Sequence, residues 1–201
     1  MNCKSVASAI GKAAPGCPRA GFQWLAFTLC LALLSGCSSV GTSVGPVWQD
    51  DSRPDTARMG KTLVLVLWSE PQVVTILEDE WVRQLRDQGM DAQAVHSLRP
   101  DEHPQDESDV IQLVKAGGFN TLLVNRVIGV KAVEREAPGS SAAVTETVLY
   151  DASTEQRIWS ARADTFMHHD PGSKQVLKER EERARDFVET LIAAMSRSGI
   201  L

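Results

Sequence analysis

Apolar positions along residues 61–201 fall into runs whose period changes along the chain. KTLVLVLW, residues 61–68, is almost continuously apolar, as suits a strand covered on both faces. In the following stretch, SEPQVVTILEDEWVRQLRDQG, Val74, Leu77, Trp81 and Leu85 recur every three or four residues, which predicts a helix with one stripe turned to a sheet. Ser69 is placed to cap that helix, Gln72 to complete a capping box, and Gly89 to end it. DAQAVHSL predicts a weaker second strand. The polar loop RPDEHPQDE, broken by two prolines, leads to a short helix over 108–117 with Val110, Leu113 and Val114 inward; Gly117-Gly118 stops it. FNTLLVNRVIGVKAV reads as a long third strand. Strict alternation then takes over, and SAAVTETVLYD and QRIWSARADTF predict two half-buried strands joined by DASTE. A final helix over 173–198 aligns Leu177, Ala184, Val188, Leu191 and Met195. Gly199 closes it, and Ile200-Leu201 can fold back.

The order β-α-β-α-β-β-β-α defines an α/β fold class: a two-layer or three-layer mixed sheet of about five strands, forming a single domain over 61–201. Right-handed crossovers make the first three strands parallel in spatial order 2-1-3, and the later hairpins extend the sheet on the third strand. Neither an internal repeat nor a second domain is evident.

Residues 1–36 follow a different logic. Lys4, Lys12 and Arg19 form a basic leader, Phe22 to Leu34 an apolar core shorter than the roughly 20 residues of a membrane span, and Ser35-Gly36 a small-residue end. Leu34-Ser35-Gly36-Cys37 resembles the lipobox of bacterial lipoprotein precursors. That resemblance implies cleavage before Cys37 and acylation of its sulfur, and several acyl chains on one residue anchor a protein stably. Ser38 follows, where in enterobacterial lipoproteins an aspartate would favour inner-membrane retention, so the expected location is the outer membrane, facing the periplasm. Cys3, Cys17 and Cys30 lie in the removed segment, so no internal disulfide is available to the mature chain. Residues 37–60, rich in Ser, Gly, Pro and Asp, read as a flexible tether with a root-mean-square reach of about 25 Å. Its one aromatic, Trp48, has three possible places: the domain edge, the bilayer interface or a partner.

Charge narrows the function. The chain has 21 Lys+Arg and 26 Asp+Glu; losing Lys4, Lys12 and Arg19 takes the net charge from −5 to −8. An acidic domain is a poor ligand for nucleic acid, whose phosphates supply most of the affinity. Chemistry is sparse too. Adjacent His168 and His169, followed by Asp170, would point to opposite faces of a strand and leave a metal without a third ligand. His96 and His103 flank a proline-bearing loop and are expected in solvent. DEHPQDESD is acidic but lacks the glycine and ligand spacing of a calcium loop. Glu78-Asp79-Glu80 is expected to face water. No cofactor is expected.

TLVLVLW, LRDQGMDAQAV, GGFNTLLVNRVIGV and VLYDASTEQRIWSA together resemble small proteobacterial lipoproteins. Their domain is similar to the N-terminal domain of the Tol propeller protein and to the cores of penicillin-binding-protein activators and of the curli secretion lipoprotein. The resemblance implies a noncatalytic envelope domain that works by contact, not an enzyme, with an unidentified envelope protein as partner. It carries no catalytic residues over.

Two surfaces are candidates. Arg126 sits mid-strand among Leu122, Val124, Ile128 and Val130 and needs a partner or an escape to the sheet's end; Glu146 is the partner expected, as a structural pair or as part of a ligand site. Asn125 faces the other side and could tie strand to helix. Val176, Arg180 and Arg183 lie on a poorly apolar half of the last helix, which Glu179–Arg183 and Glu181–Arg185 pairs would support, and could meet a partner. A flat apolar patch would favour an interaction module, whereas a deep pocket around Arg126 would favour a lipoprotein that binds a small molecule or glycan.

Overall fold

The computed structural model describes residues 41–50, 52, 59–100, 103–104, 106–132, 141–165 and 174–201. Its strands are β1 (Ser43–Gln49), β2 (Thr62–Leu67), β3 (Ala92–Ala94), β4 (Thr121–Ala132), β5 (Ser141–Asp151) and β6 (Arg157–Thr165). Its helices are α1 (Pro71–Asp87), α2 (Val95–Leu98), α3 (Glu107–Gly117) and α4 (Lys174–Arg197). One mixed sheet runs β1-β6-β5-β4-β2-β3. β2 pairs in parallel with β3 and β4; β5, β6 and β1 follow antiparallel. The α/β class and the 2-1-3 order of the first parallel strands are as expected.

The sixth strand comes from the segment read as tether. Ser43 lies opposite Asp164 and Gln49 opposite Trp159, so residues 43–49 belong to the sheet and not to a flexible linker. The cause lies in the partner: without β1, β6 would be a bare edge. Pro46 falls where the register shifts between Val44 and Val47, an irregularity on an edge strand that tolerates its missing N–H. Trp48 docks on the domain edge, with the Arg157 guanidinium 4.1 Å from its ring centre.

The main core lies between the sheet and a helix pair. Val64, Leu123, Leu149 and Trp159 stand in register across four strands and meet Leu77, Trp81 and Leu85 of α1 and Phe187, Leu191 and Met195 of α4. Ile200 and Leu201 fold back against this core. Leu177, expected in the buried stripe of α4, is exposed, because the first turns of the helix run past the core. On the opposite face α3 covers a smaller cluster of Leu63, Leu65, Val95, Val114 and Phe119, so among the described residues only the β2–β4 region has three layers.

The ends of the helices have local causes. The N-cap of α1 is Glu70, with no side-chain cap bond, and not Ser69. Pro71 sets this start, since its fixed φ suits the first helical position. The Asp106 carboxylate caps α3 by accepting from the Asp109 N–H at 3.0 Å and from Ser108 Oγ at 2.7 Å. Gly118, at φ +63°, ends α3 in the left-handed region, and a Cβ on Gly117 would strike the Phe119 ring.

Candidate functional site

β2 leaves the sheet through α1 on one face, and β4 is reached through α3 on the other. The carboxyl ends of β2 and β4 therefore flank a topological switch point, the place where open α/β sheets form ligand crevices. A cleft of about 490 Å³ runs between α3 and the sheet, from Leu67 and Arg126 at that end to Leu122, Tyr150 and Asp151 at the amino end of β4. Leu65, Leu67, Val110, Val114, Leu122 and Val124 make its apolar walls. The 3.6-residue period of α3 and the 2-residue period of the strands aim these residues at one another.

Arg126 lines this cleft, and the sheet register explains its neighbours. Leu67, Arg126, Glu146 and Arg162 stand side by side on four successive strands. Arg126 donates to Glu146 Oε2 from Nε at 3.1 Å and from Nη2 at 2.6 Å. On the other flank, Arg162 Nε is 4.0 Å from Glu146 Oε1. The Arg126 guanidinium holds its proton more tightly than an ordinary arginine, chiefly through the Glu146 hydrogen bond. Arg126 is half-exposed because β2 ends opposite it at Leu67. A register shift between Val127 and Gly129 then breaks the alternation that was to keep Ile128 and Val130 beside Arg126; both are exposed beyond it.

The other charged groups of the lining are Asp106, Glu107, Lys115, Asp151 and Glu155. Asp106 is held below the ordinary carboxylate range, first by the Ser108 hydroxyl and then by the Asp109 N–H. Asp151 Oδ1 accepts from the Ser153 and Thr154 amides at 2.9 and 3.1 Å, which shapes the DASTE turn. Lys115 and Glu155 pair at 3.9 Å. Tyr150 adds an aromatic wall beside these groups.

Several expected positions differ. Glu78 does not face water; it is fully buried. Its carboxylate accepts from the Val66 N–H at 3.0 Å and the His96 N–H at 2.9 Å, and His96 Nδ1 is 2.7 Å away. β3 ends at Ala94, so Glu78 supplies the acceptor that a longer strand would have offered Val66. His96 is therefore tied down and largely covered, with Nε2 3.2 Å from Asp79, whereas His103 is exposed as expected. Asn125 donates to Thr147 Oγ1 at 2.8 Å, so it ties β4 to β5 and not to a helix.

On α4, Arg180 turns back onto Glu70 at 3.2 Å and is mostly covered, which removes it from a projecting contact rim. Lys178 and Glu182 form an i,i+4 pair at 3.7 Å on this stretch. Arg183 is partly buried, and the Val176 side chain lies outside the described residues. So do Cys37, His168, His169 and Asp170. Among the described residues no group of three or more His, Cys, Asp or Glu is arranged to hold a metal, and no helix is long and apolar enough to cross a membrane.

No protein-family model and no curated protein matches the chain. Solved structures of similar outline include a PelC dodecamer from Paraburkholderia phytofirmans, at 15% identity and TM-score 0.45 over 75% of this chain and 96% of that one. Lipoprotein GNA1162 from Neisseria meningitidis matches at 12% identity and TM-score 0.41, over 69% and 99%. The LpoB C-terminal domain from Salmonella enterica matches at 15% and 0.35, over 56% and 87%. Likenesses this distant assign no activity. The kinship to Tol, activator and curli domains stays a resemblance of sequence.

Proposed function

We propose that the chain is a lipid-anchored envelope protein, held at the periplasmic side of the outer membrane through Cys37, whose domain works by binding at the α3 cleft and not by catalysis. The cleft carries this reading. Its volume of about 490 Å³ falls within the range of small-molecule sites, its walls are largely apolar, and one end of it opens at the switch point. A pocket at Arg126 favours the binding lipoprotein over the flat contact module. The contact module is the second reading, favoured by Leu67, Ile128 and Val130, which are 47%, 41% and 69% exposed near the Arg126 end of β4.

Nile red, a neutral apolar dye, tests the cleft. It should bind the full-length protein saturably, and Ile111→Glu, which puts a charge in the half-buried cleft wall, should abolish binding without lowering the melting temperature. Undiminished binding to that variant would reject the cleft. Cys37→Ser tests the address: the variant should leave the outer-membrane fraction, and wild-type fractionation would overturn the anchor.

A further inference from the structure

Resting on the cleft as a binding site, we propose that its ligand is a small amphipathic acid, an apolar chain or ring bearing one carboxylate, whose acid group takes Arg126 over from Glu146. Charge complementarity carries this assignment. Across β4, β5 and β6 two guanidinium groups, Arg126 and Arg162, flank the single carboxylate of Glu146. The row holds one positive charge in excess, and it borders the apolar walls. Arg126 spends two N–H groups on one oxygen of Glu146, and a guanidinium has five. An incoming carboxylate can therefore engage Arg126 from the cleft side while Glu146 shifts toward Arg162, already 4.0 Å from its other oxygen. The exchange moves hydrogen bonds only, and the bound row is neutral.

The acids of the lining do not cancel this preference. Asp151 and Glu155 stand at the other end of β4 from Arg126, opposite Thr121 and beside Lys115, which offsets one of their charges. Asp106 and Glu107, at the start of α3, both oppose an anion, and of the two only Glu107 has no part in the helix cap, so Glu107→Gln should tighten binding. The apolar body of the ligand lies against Leu65, Val110 and Val124, which gives no reason to prefer an acid. The arginine row gives that reason.

Isothermal titration of the full-length protein with decanoate below its micellar concentration and with decanol below its solubility limit tests the assignment. Decanoate should bind one-to-one, about tenfold more tightly than decanol, the worth of one hydrogen bond to a charged group. Arg126→Gln should erase that difference. Arg126→Lys should restore part of it, since it keeps the charge but loses the two-pronged donor. Glu146→Gln, which removes the competing carboxylate, should tighten decanoate and leave decanol unchanged. Equal affinity for both probes, or an Arg126→Gln variant that still prefers decanoate, would overturn the acid assignment. If neither probe binds while Nile red still occupies the cleft, the acid assignment falls alone. If none of the three binds, the cleft reading falls with it.

Discussion

Glu78, Asp79 and Glu80 are consecutive on α1 and meet three environments. Glu78 is buried and serves three donors, two of them main-chain. Glu78→Ala would strip Val66 and His96 of their acceptor inside the protein and should cost roughly 3 kcal/mol, since each buried orphan donor costs about 1–3 kcal/mol. Chemical denaturation checks this. Asp79 stays exposed. Glu80 is partly covered, and burial pushes its carboxyl upward, but hydrogen bonds from Arg83 and Gln84 and the charges of Arg83 and Arg185 outweigh that and hold it below the ordinary glutamate value. A depressed folded value means that the unfolded chain binds the proton more readily. The stabilisation from Glu80 is therefore complete at neutral pH and is lost as pH falls through its folded value. Melting temperatures measured from neutral to acid pH should converge for wild type and Glu80→Gln at the acid end; a constant gap would contradict this.

At the scale of elements, the two buried tryptophans make a matched pair. Trp81 on α1 and Trp159 on β6 are both fully buried, and replacing either with Ala should cost about 3–5 kcal/mol. Their indole N–H groups differ. Trp159 Nε1 donates to Ser198 Oγ at 3.3 Å, whereas Trp81 Nε1 has no partner among the described residues. Trp159→Phe should therefore destabilise by about 1 kcal/mol more than Trp81→Phe, the net worth of a hydrogen bond; equal losses would contradict it. Trp81 was legible in the sequence, because the helical period reports which face is covered; around Trp159 alternation says less, since Ile158, Trp159, Ser160 and Ala161 are all buried. Glu78 was legible by position but not by type: it lies four residues after Val74 and three before Trp81, on the same stripe, yet a carboxylate there reads as solvated unless its donors are known. β1 was not legible, since SVGPVWQ carries turn residues and its strand conformation comes from the free edge of β6. The switch point follows from the 2-1-3 strand order alone. The cleft itself does not, because its size depends on how far α3 stands from the sheet. The Arg126–Glu146 neighbourhood could be read from strand alternation, but the register that adds Arg162 could not.

For the whole molecule, the sheet divides the fold into a well-filled side and a thinly covered one. α1 and α4 seal the first, and α3 with its small cluster shelters part of the second, where the cleft lies. Glu78 brings a further consequence, in time and not in space. Because its side chain guards the Val66 and His96 amides, their access to solvent depends on α1 staying seated as well as on the sheet. Opening free energies differ across a structure, and groups that open together exchange together. In deuterium exchange under native conditions, the Val66 and His96 amides should lose protection in the same opening event as α1, ahead of the Val64 amide inside the strand ladder, and Glu78→Gln should speed their exchange far more than that of Val64. A helix thereby sets the clock for two amides outside it, one near the end of β2 and one in the short helix that follows β3.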